Sequence, residues 1–168
     1  MADLEELKQA IDAGHERVLA ALAGIPETEL ETAPAVGAWS ARDVVGHLAD
    51  WEGETLAAAA HILGGPKPRF HPIKDGQQYN SLRAALWGTE PWQIALEDFA
   101  RARGRAEAFL ADLAPEQLQA IGPFPWGEVG RLGKLLEDLV SHLDEHAAQL
   151  EEWRLRRAGI HEPRRGRW

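Results

Sequence analysis

Two histidines, His142 and His146, stand four residues apart in the run Ser141-His142-Leu143-Asp144-Glu145-His146-Ala147. Residues at i and i+4 share one face of a helix, a turn apart. Neutral imidazole is the side chain most often used to hold a metal. A third histidine, His47, falls on the apolar stripe of another expected helix, beside Val44, Leu48 and Trp51. Three imidazoles directed into a bundle interior suit a divalent ion that keeps one or more positions open. The competing interpretation is three hydrogen-bonded core histidines. Burying unpaired imidazoles is unfavourable, and one ion would partner all three; the residue pattern alone leaves both open.

The other histidines are weaker candidates. His61 lies near the stripe of His47 but about 21 Å further along the helix axis, so the two cannot serve one ion. His71 falls in a proline-rich connector and His161 near the C-terminus, and both are expected to be exposed. His15 lies near the stripe of the first helix and stands alone, as a satisfied or half-exposed residue. The run from His142 to His146 also fits H-x-x-E-H. The third ligand of that pattern comes well downstream, and only a short stretch follows here. Glu145 is expected to point away from the face shared by the two histidines. Asp43, Asp50, Asp138 and Gln149 lie one turn from the three histidines. They could accept the free imidazole N–H and fix the tautomer, or simply be solvated surface groups.

Helical periodicity supplies the frame. Leu4, Leu7, Ile11, Val18 and Leu22 mark a first helix over about residues 2–24, closed by Gly24 and Pro26. Ser40 followed by Asp43 forms a capping box, with Trp39 and Val44 placed as a hydrophobic staple. It opens a second helix through His47, Trp51, Thr55, Ala58 and Ile62, stopped by Gly64-Gly65-Pro66. A short helix over residues 77–87 interrupts a long connector. The third long helix covers residues 92–113, with Gly104 inside it at a possible close helix contact. A turn at Pro115-Glu116-Gln117-Leu118 follows. Gly122-Pro123-Phe124-Pro125-Trp126-Gly127 is either a wall over a pocket or a segment packed across the bundle end. The fourth helix is expected from about Glu128 to Arg157, ended by Gly159. No stretch shows strand-like alternation, and no internal repeat is present. The expected fold is all-α: a four-helix bundle over residues 1–158 with a basic tail over 159–168. The long connector over residues 64–90 can cross the bundle, which would let the second and third helices run parallel.

Composition narrows the function. The chain has 168 residues, no cysteine and a net charge of −9. Thiolate metal sites and a cysteine nucleophile are therefore excluded. The acidic balance argues against a nucleic-acid partner, whose phosphates need a basic face. The basic exception is Arg154, Arg156, Arg157, Arg164, Arg165 and Arg167, read as a solvated helix end and tail, with an acidic partner as the lesser alternative. Seven tryptophans against one tyrosine mark core or pocket walls. Trp51, Phe124 and Trp126 are the candidates for an apolar pocket. Arg42 or Arg83 could hold an anionic substrate group. The acidic Met1-Ala2-Asp3-Leu4-Glu5-Glu6 has no secretory character, and no apolar run is long enough to span a membrane. A cytoplasmic location is expected.

Two longer motifs carry a resemblance. Gly37-Ala38-Trp39-Ser40-Ala41-Arg42-Asp43-Val44-Val45-Gly46-His47-Leu48-Ala49-Asp50-Trp51-Glu52 resembles the helix-two signature of the DinB/YfiT-like superfamily. Ser141-His142-Leu143-Asp144-Glu145-His146-Ala147-Ala148-Gln149-Leu150 resembles its helix-four signature. The Tyr79-Asn80 and Trp126-Gly127 steps look similar as well. The resemblance implies an up-down-down-up bundle with a long crossover between helices two and three. It also implies a divalent transition metal (Zn, Ni, Fe or Mn) on His47, His142 and His146. The implied activity is that of a metal-dependent enzyme acting on small electrophiles, a thiol S-transferase or a detoxifying hydrolase. A low-molecular-weight thiol is the implied co-substrate, and a homodimer the implied assembly. The alternative is a non-catalytic bundle that binds a metal or a small ligand.

Overall fold

The computed structural model describes residues 3–69 and 71–159. Four long helices make the body: α1 (Leu4–Leu22), α3 (Ala41–Ile62), α5 (Trp92–Ala111) and α6 (Leu132–Arg157). Between them lie α2 (Glu27–Thr32) and α4 (Gly76–Trp87), with a 3₁₀ turn at Pro115–Gln119. Two small antiparallel hairpins complete it: β1 (Pro34–Val36) with β2 (Trp39–Ser40), and β3 (Ile121–Pro123) with β4 (Val129–Arg131). The apolar stripes read from sequence are the buried ones. Leu7, Val18, Val44, Leu48, Phe99, Leu136 and Leu143 all close on one core.

Cross-helix contacts fix the helix directions. Arg17 of α1 bonds Asp144 and Glu151 of α6, and Arg154, further along α6, bonds the Ala21 carbonyl further along α1. These two helices therefore run parallel. Arg42, at the start of α3, donates to the Glu90 carbonyl just ahead of α5, and Gly53 lies beside Arg105 further along. That pair is parallel too. Arg103 of α5 meets Glu16 of α1 while Leu110 comes level with Glu5, so α1 and α5 oppose each other. The path is up-down-down-up, and the connector between α3 and α5 is the crossover that makes it possible.

The start of α3 forms as its sequence dictates. Ser40 Oγ accepts from the Asp43 amide at 3.2 Å, and Asp43 returns the bond to the Ser40 amide at 3.0 Å. The crossover helix α4 is stitched to α3 along its length. Trp51 donates its indole N–H to Asn80 at 2.7 Å, Tyr79 its hydroxyl to Glu54 at 3.2 Å, and Trp87 its indole N–H to Asp50 at 2.8 Å. Arg83 pairs with the same Asp50. Trp87 lies so close to α3 that a Cβ on Gly46 would come within 2.3 Å of its ring, so only glycine fits there.

Several expectations need correction. The supposed connector after α1 carries α2 and a strand. The supposed first turn of the last helix is strand β4, and α6 begins at Leu132. The strands are two or three residues long, too short to show a period of two, and all but β2 contain Pro or Gly. Gly104 faces open space, with nothing within 4 Å of a Cβ placed there, so it marks no close helix contact. Three arginines of the basic cluster are tethers: Arg154 bonds the Ala21 and Ala23 carbonyls, Arg156 the Ala35 carbonyl, and Arg157 pairs with Glu29. The expectations for His161 and for Arg164, Arg165 and Arg167 lie outside the described residues. No helix among the described residues is long and apolar enough to cross a membrane.

Candidate metal centre

α3 brings His47, and α6 brings His142 and His146, to one point. A ring nitrogen from each lies within 4.8 Å of the other two. His47 Nε2 and His142 Nε2 face each other at 2.9 Å, and the three rings meet nearly edge to face with centroids 4.8–5.0 Å apart. His47 and His146 are buried and His142 half-buried. His61, as expected from its distance, is elsewhere: its Nδ1 is 3.0 Å from the Gly65 carbonyl. His71 is not exposed as expected. It is half-buried 6.4 Å from the His61 ring, and its Nδ1 has no partner. His15 is fully buried against Glu52.

Burial holds the cluster neutral. It pushes His47 down to about 3, helped by repulsion from His142 and His146. It pushes His142 down to about 4, with repulsion from His146 adding to the fall. His146 is lowered by burial too, against the opposing pull of Gln149 and Glu145. A neutral imidazole offers a lone pair, the form a metal needs.

The donor set fits a transition ion. Around a tetrahedral ion with bonds of about 2.0–2.1 Å, ligand nitrogens stand roughly 3.3 Å apart. The observed spacings are 2.9 Å between the facing His47 and His142 nitrogens and within 4.8 Å for all three. Without a cation, the 2.9 Å contact demands that one of the two facing nitrogens carry its proton. His146 Nδ1 and Gln149 Oε1 are both buried without a hydrogen-bond partner. They are complementary groups one turn apart, and joining them would leave His146 Nε2 free to coordinate. The expected carboxylate supports are engaged elsewhere: Asp43 caps α3, Asp50 holds Arg83 and Trp87, and Asp138 pairs with Lys134.

The histidines line a cleft of about 440 Å³. Trp51 and Trp126 line it as well, with Trp39, Asn80, Thr55 and Leu139. Phe124 does not line the cleft. It is buried behind Trp126, rings 5.3 Å apart, at the tip of the β3–β4 hairpin. Trp39 was read only as a helix staple, yet its ring lies 5.0 Å from that of His47. Asp138 and Glu145 also line the cleft. Glu145 therefore does not point away. A residue three beyond His142 lies only about 60° round the helix from it, so Glu145 stands at the rim.

Residues 10–150 match the DinB superfamily, and the chain belongs to it. Solved structures agree on the fold. YfiT from Bacillus subtilis, described as "a probable metal-dependent hydrolase with an unusual four-helix bundle topology", is 24% identical, with a TM-score of 0.74 over 94% of this chain and 89% of that one. A mycothiol-dependent maleylpyruvate isomerase is 14% identical, with a TM-score of 0.73 over 92% of this chain and 67% of that one. The colibactin self-resistance protein ClbS, solved with double-stranded DNA, is 15% identical, with a TM-score of 0.68 over 94% of this chain and 97% of that one. At these identities the likeness shows a shared fold. No curated protein sequence gives a significant match.

Proposed function

We propose that the protein is a metal-dependent enzyme acting on small electrophilic molecules, with His47, His142 and His146 as the metal ligands. Either a thiol S-transferase or a hydrolase fits the site. The observation that carries the reading is the convergence of three neutral imidazole nitrogens within 4.8 Å at the floor of a cleft. A divalent transition ion held there would supply Lewis acidity, lowering the pKa of a thiol or water at its open side. The chain's own residues supply the rest. Burial keeps the imidazoles unprotonated. Trp39, Trp51 and Trp126 present apolar walls that hold a small molecule and exclude bulk water. Asn80 locks the Trp51 indole at 2.7 Å, so that wall is set before a ligand arrives.

The printed descriptions of YfiT and of the thiol-dependent isomerase support this chemistry by analogy. The DNA complex belongs to ClbS. For this chain a net charge of −9 and two carboxylates in the cleft oppose a phosphate backbone, and a small molecule remains the proposed partner. A cytoplasmic homodimer remains part of the proposal, with sedimentation as its test.

Metal-depleted protein titrated with Zn²⁺ or Ni²⁺ tests the reading. The expected result is one equivalent bound. At a free-metal concentration of 100 times Kd, about 2.7 kcal/mol of added stability should raise Tm by roughly 5–10 °C for a chain of this size. His142→Ala and His146→Ala should keep their helical circular dichroism and lose both effects. A folded wild type that takes up no metal and shows no shift overturns the proposal.

A further inference from the structure

The charge distribution of the cleft bears on its substrate, given the reading above that the reaction takes place there. Besides the histidines, its titratable lining groups are Asp138 and Glu145. Among the described residues, no lysine or arginine lines it. The two arginines that sequence offered for an anionic group are turned away. Arg42 bonds Asp43 and the Glu90 carbonyl, and Arg83 pairs with Asp50 behind α4. A third carboxylate, Glu128, accepts at 3.0 Å from the indole N–H of Trp126, which lines the cleft. The walls are three tryptophans, the side chains whose faces attract cations most strongly. Trp39 and Trp51 flank His47 with centroids 5.0 and 6.5 Å from its ring. His146, nine-tenths buried, lines the same space, so the cleft is built on a side chain fixed by the core.

We propose that the small molecule taken by this cleft is a cation, an amine or quaternary ammonium. Its charged end lies between the tryptophan faces and Glu145 and Asp138, and its apolar, reactive part points toward the histidines. Asp138 already shares its charge with Lys134 on the outer face of α6, so Glu145, whose bond from Gln149 is 3.4 Å long, is the stronger anchor. In the metal-free cleft an anionic ligand of the same size would meet two carboxylates and find no lysine or arginine among the described lining residues.

Three phenyl probes of graded charge test this: benzyltrimethylammonium, benzyl alcohol and benzenesulfonate. Each is titrated by calorimetry and tryptophan fluorescence into the full-length protein, metal-stripped and metal-loaded. The expected order of affinity in the metal-stripped form is ammonium, alcohol, sulfonate; in the metal-loaded form the ion's own charge narrows the gap. In the metal-stripped form the ammonium should bind at least ten-fold tighter than the sulfonate, weaken with added salt, and lose several-fold in Glu145→Gln and less in Asp138→Asn. Three results overturn the proposal: no ammonium binding at millimolar concentration, sulfonate binding as tight or tighter in the metal-stripped protein, or an ammonium preference unchanged in Glu145→Gln/Asp138→Asn. The two readings fail separately. Loss of metal uptake with the charge preference intact removes the metal centre and keeps the substrate class. Metal uptake without that preference does the reverse.

Discussion

His15 and Glu52 are both fully buried, and the carboxylate oxygens stand 3.1 and 3.0 Å from His15 Nε2. The pair ties α1 to α3 in the middle of the core, with the His15 ring stacked on Phe99 at 4.3 Å. His15 Nδ1 already lacks a partner. Replacing Glu52 with leucine would strip the imidazole of its remaining bond, and breaking a buried pair in this way costs about 3–5 kcal/mol. For a chain of this length each kcal/mol moves Tm by roughly 2–4 °C, so a fall of about 6–20 °C is expected. Glu52→Gln keeps the volume and a carbonyl oxygen to accept from Nε2, and should lose about 1 kcal/mol. His15→Leu leaves the carboxylate unpaired and forfeits the stack on Phe99, and should be as damaging as Glu52→Leu. The double variant His15→Leu/Glu52→Leu leaves no orphan and should recover at least 2 kcal/mol of the summed single losses. Urea denaturation of the metal-free proteins measures all four without a contribution from metal binding. Additive single losses, with a coupling below about 0.5 kcal/mol, would refute the claim that the two groups depend on each other.

Two further predictions follow from the packing and the site. The buried imidazoles bind fewer protons in the folded chain than in the unfolded one at any pH between their lowered values, about 3 for His47 and about 4 for His142, and the ordinary 6.5. The unfolded state gains the protons, so stability of the metal-free protein should fall as pH drops through 6.5 and level off below about 3. Between pH 7 and 5 the loss is about 2 kcal/mol per histidine, and His47→Gln should lose correspondingly less; a wild type equally stable at both pH values would contradict the assignment. Gly46→Ala must push the Trp87 ring away and with it the bond to Asp50, at about 1–3 kcal/mol. Gly104→Ala, into open space on an exposed helix face, should gain roughly 0.5–1 kcal/mol. Thermal melts that rank the two alanines the other way would falsify the packing argument.

The helices were legible because their stripes are long and their stops explicit. Ser40 with Asp43, and Gly64-Gly65-Pro66, are local signals that tertiary contacts had only to accept. The convergence of His47 on His142 and His146 was legible for the same reason, since face and height along a helix follow from spacing. Lateral relations were harder to read. Nothing near Glu52 in sequence names its partner, His15, which lies 37 residues away. Trp39 sat in a recognised capping motif, and that local role hid its place against His47. Glu145 was placed wrongly by treating a helix face as a line when it is an arc. The hairpin around Phe124 and Trp126 was a matter of register: Phe124 faces inward toward Gly130, and Trp126, two residues on, reaches the cleft.

The topology also explains why the cleft lies where it does. α1 packs along α6 and α3 along α5, both as parallel pairs, while the seam between α3 and α6 is less extensive. Small additions fill that seam: α4 over one side through Asn80, the β3–β4 hairpin over another through Trp126, and the β1–β2 hairpin from below through Trp39. None of these pieces is a core helix, and each contributes one side chain to the wall. The three histidines, by contrast, sit on the two long helices that border the seam. Residues that would hold the ion are thus fixed by the bundle, as are Trp51, Asp138 and Glu145, while the wall residues Trp39, Asn80 and Trp126 are carried by a crossover helix and two hairpins. Changes to Trp39, Asn80 or Trp126 should therefore alter which small molecules bind while leaving metal uptake near wild type. Substitutions on the inner faces of α3 or α6 should disturb both together.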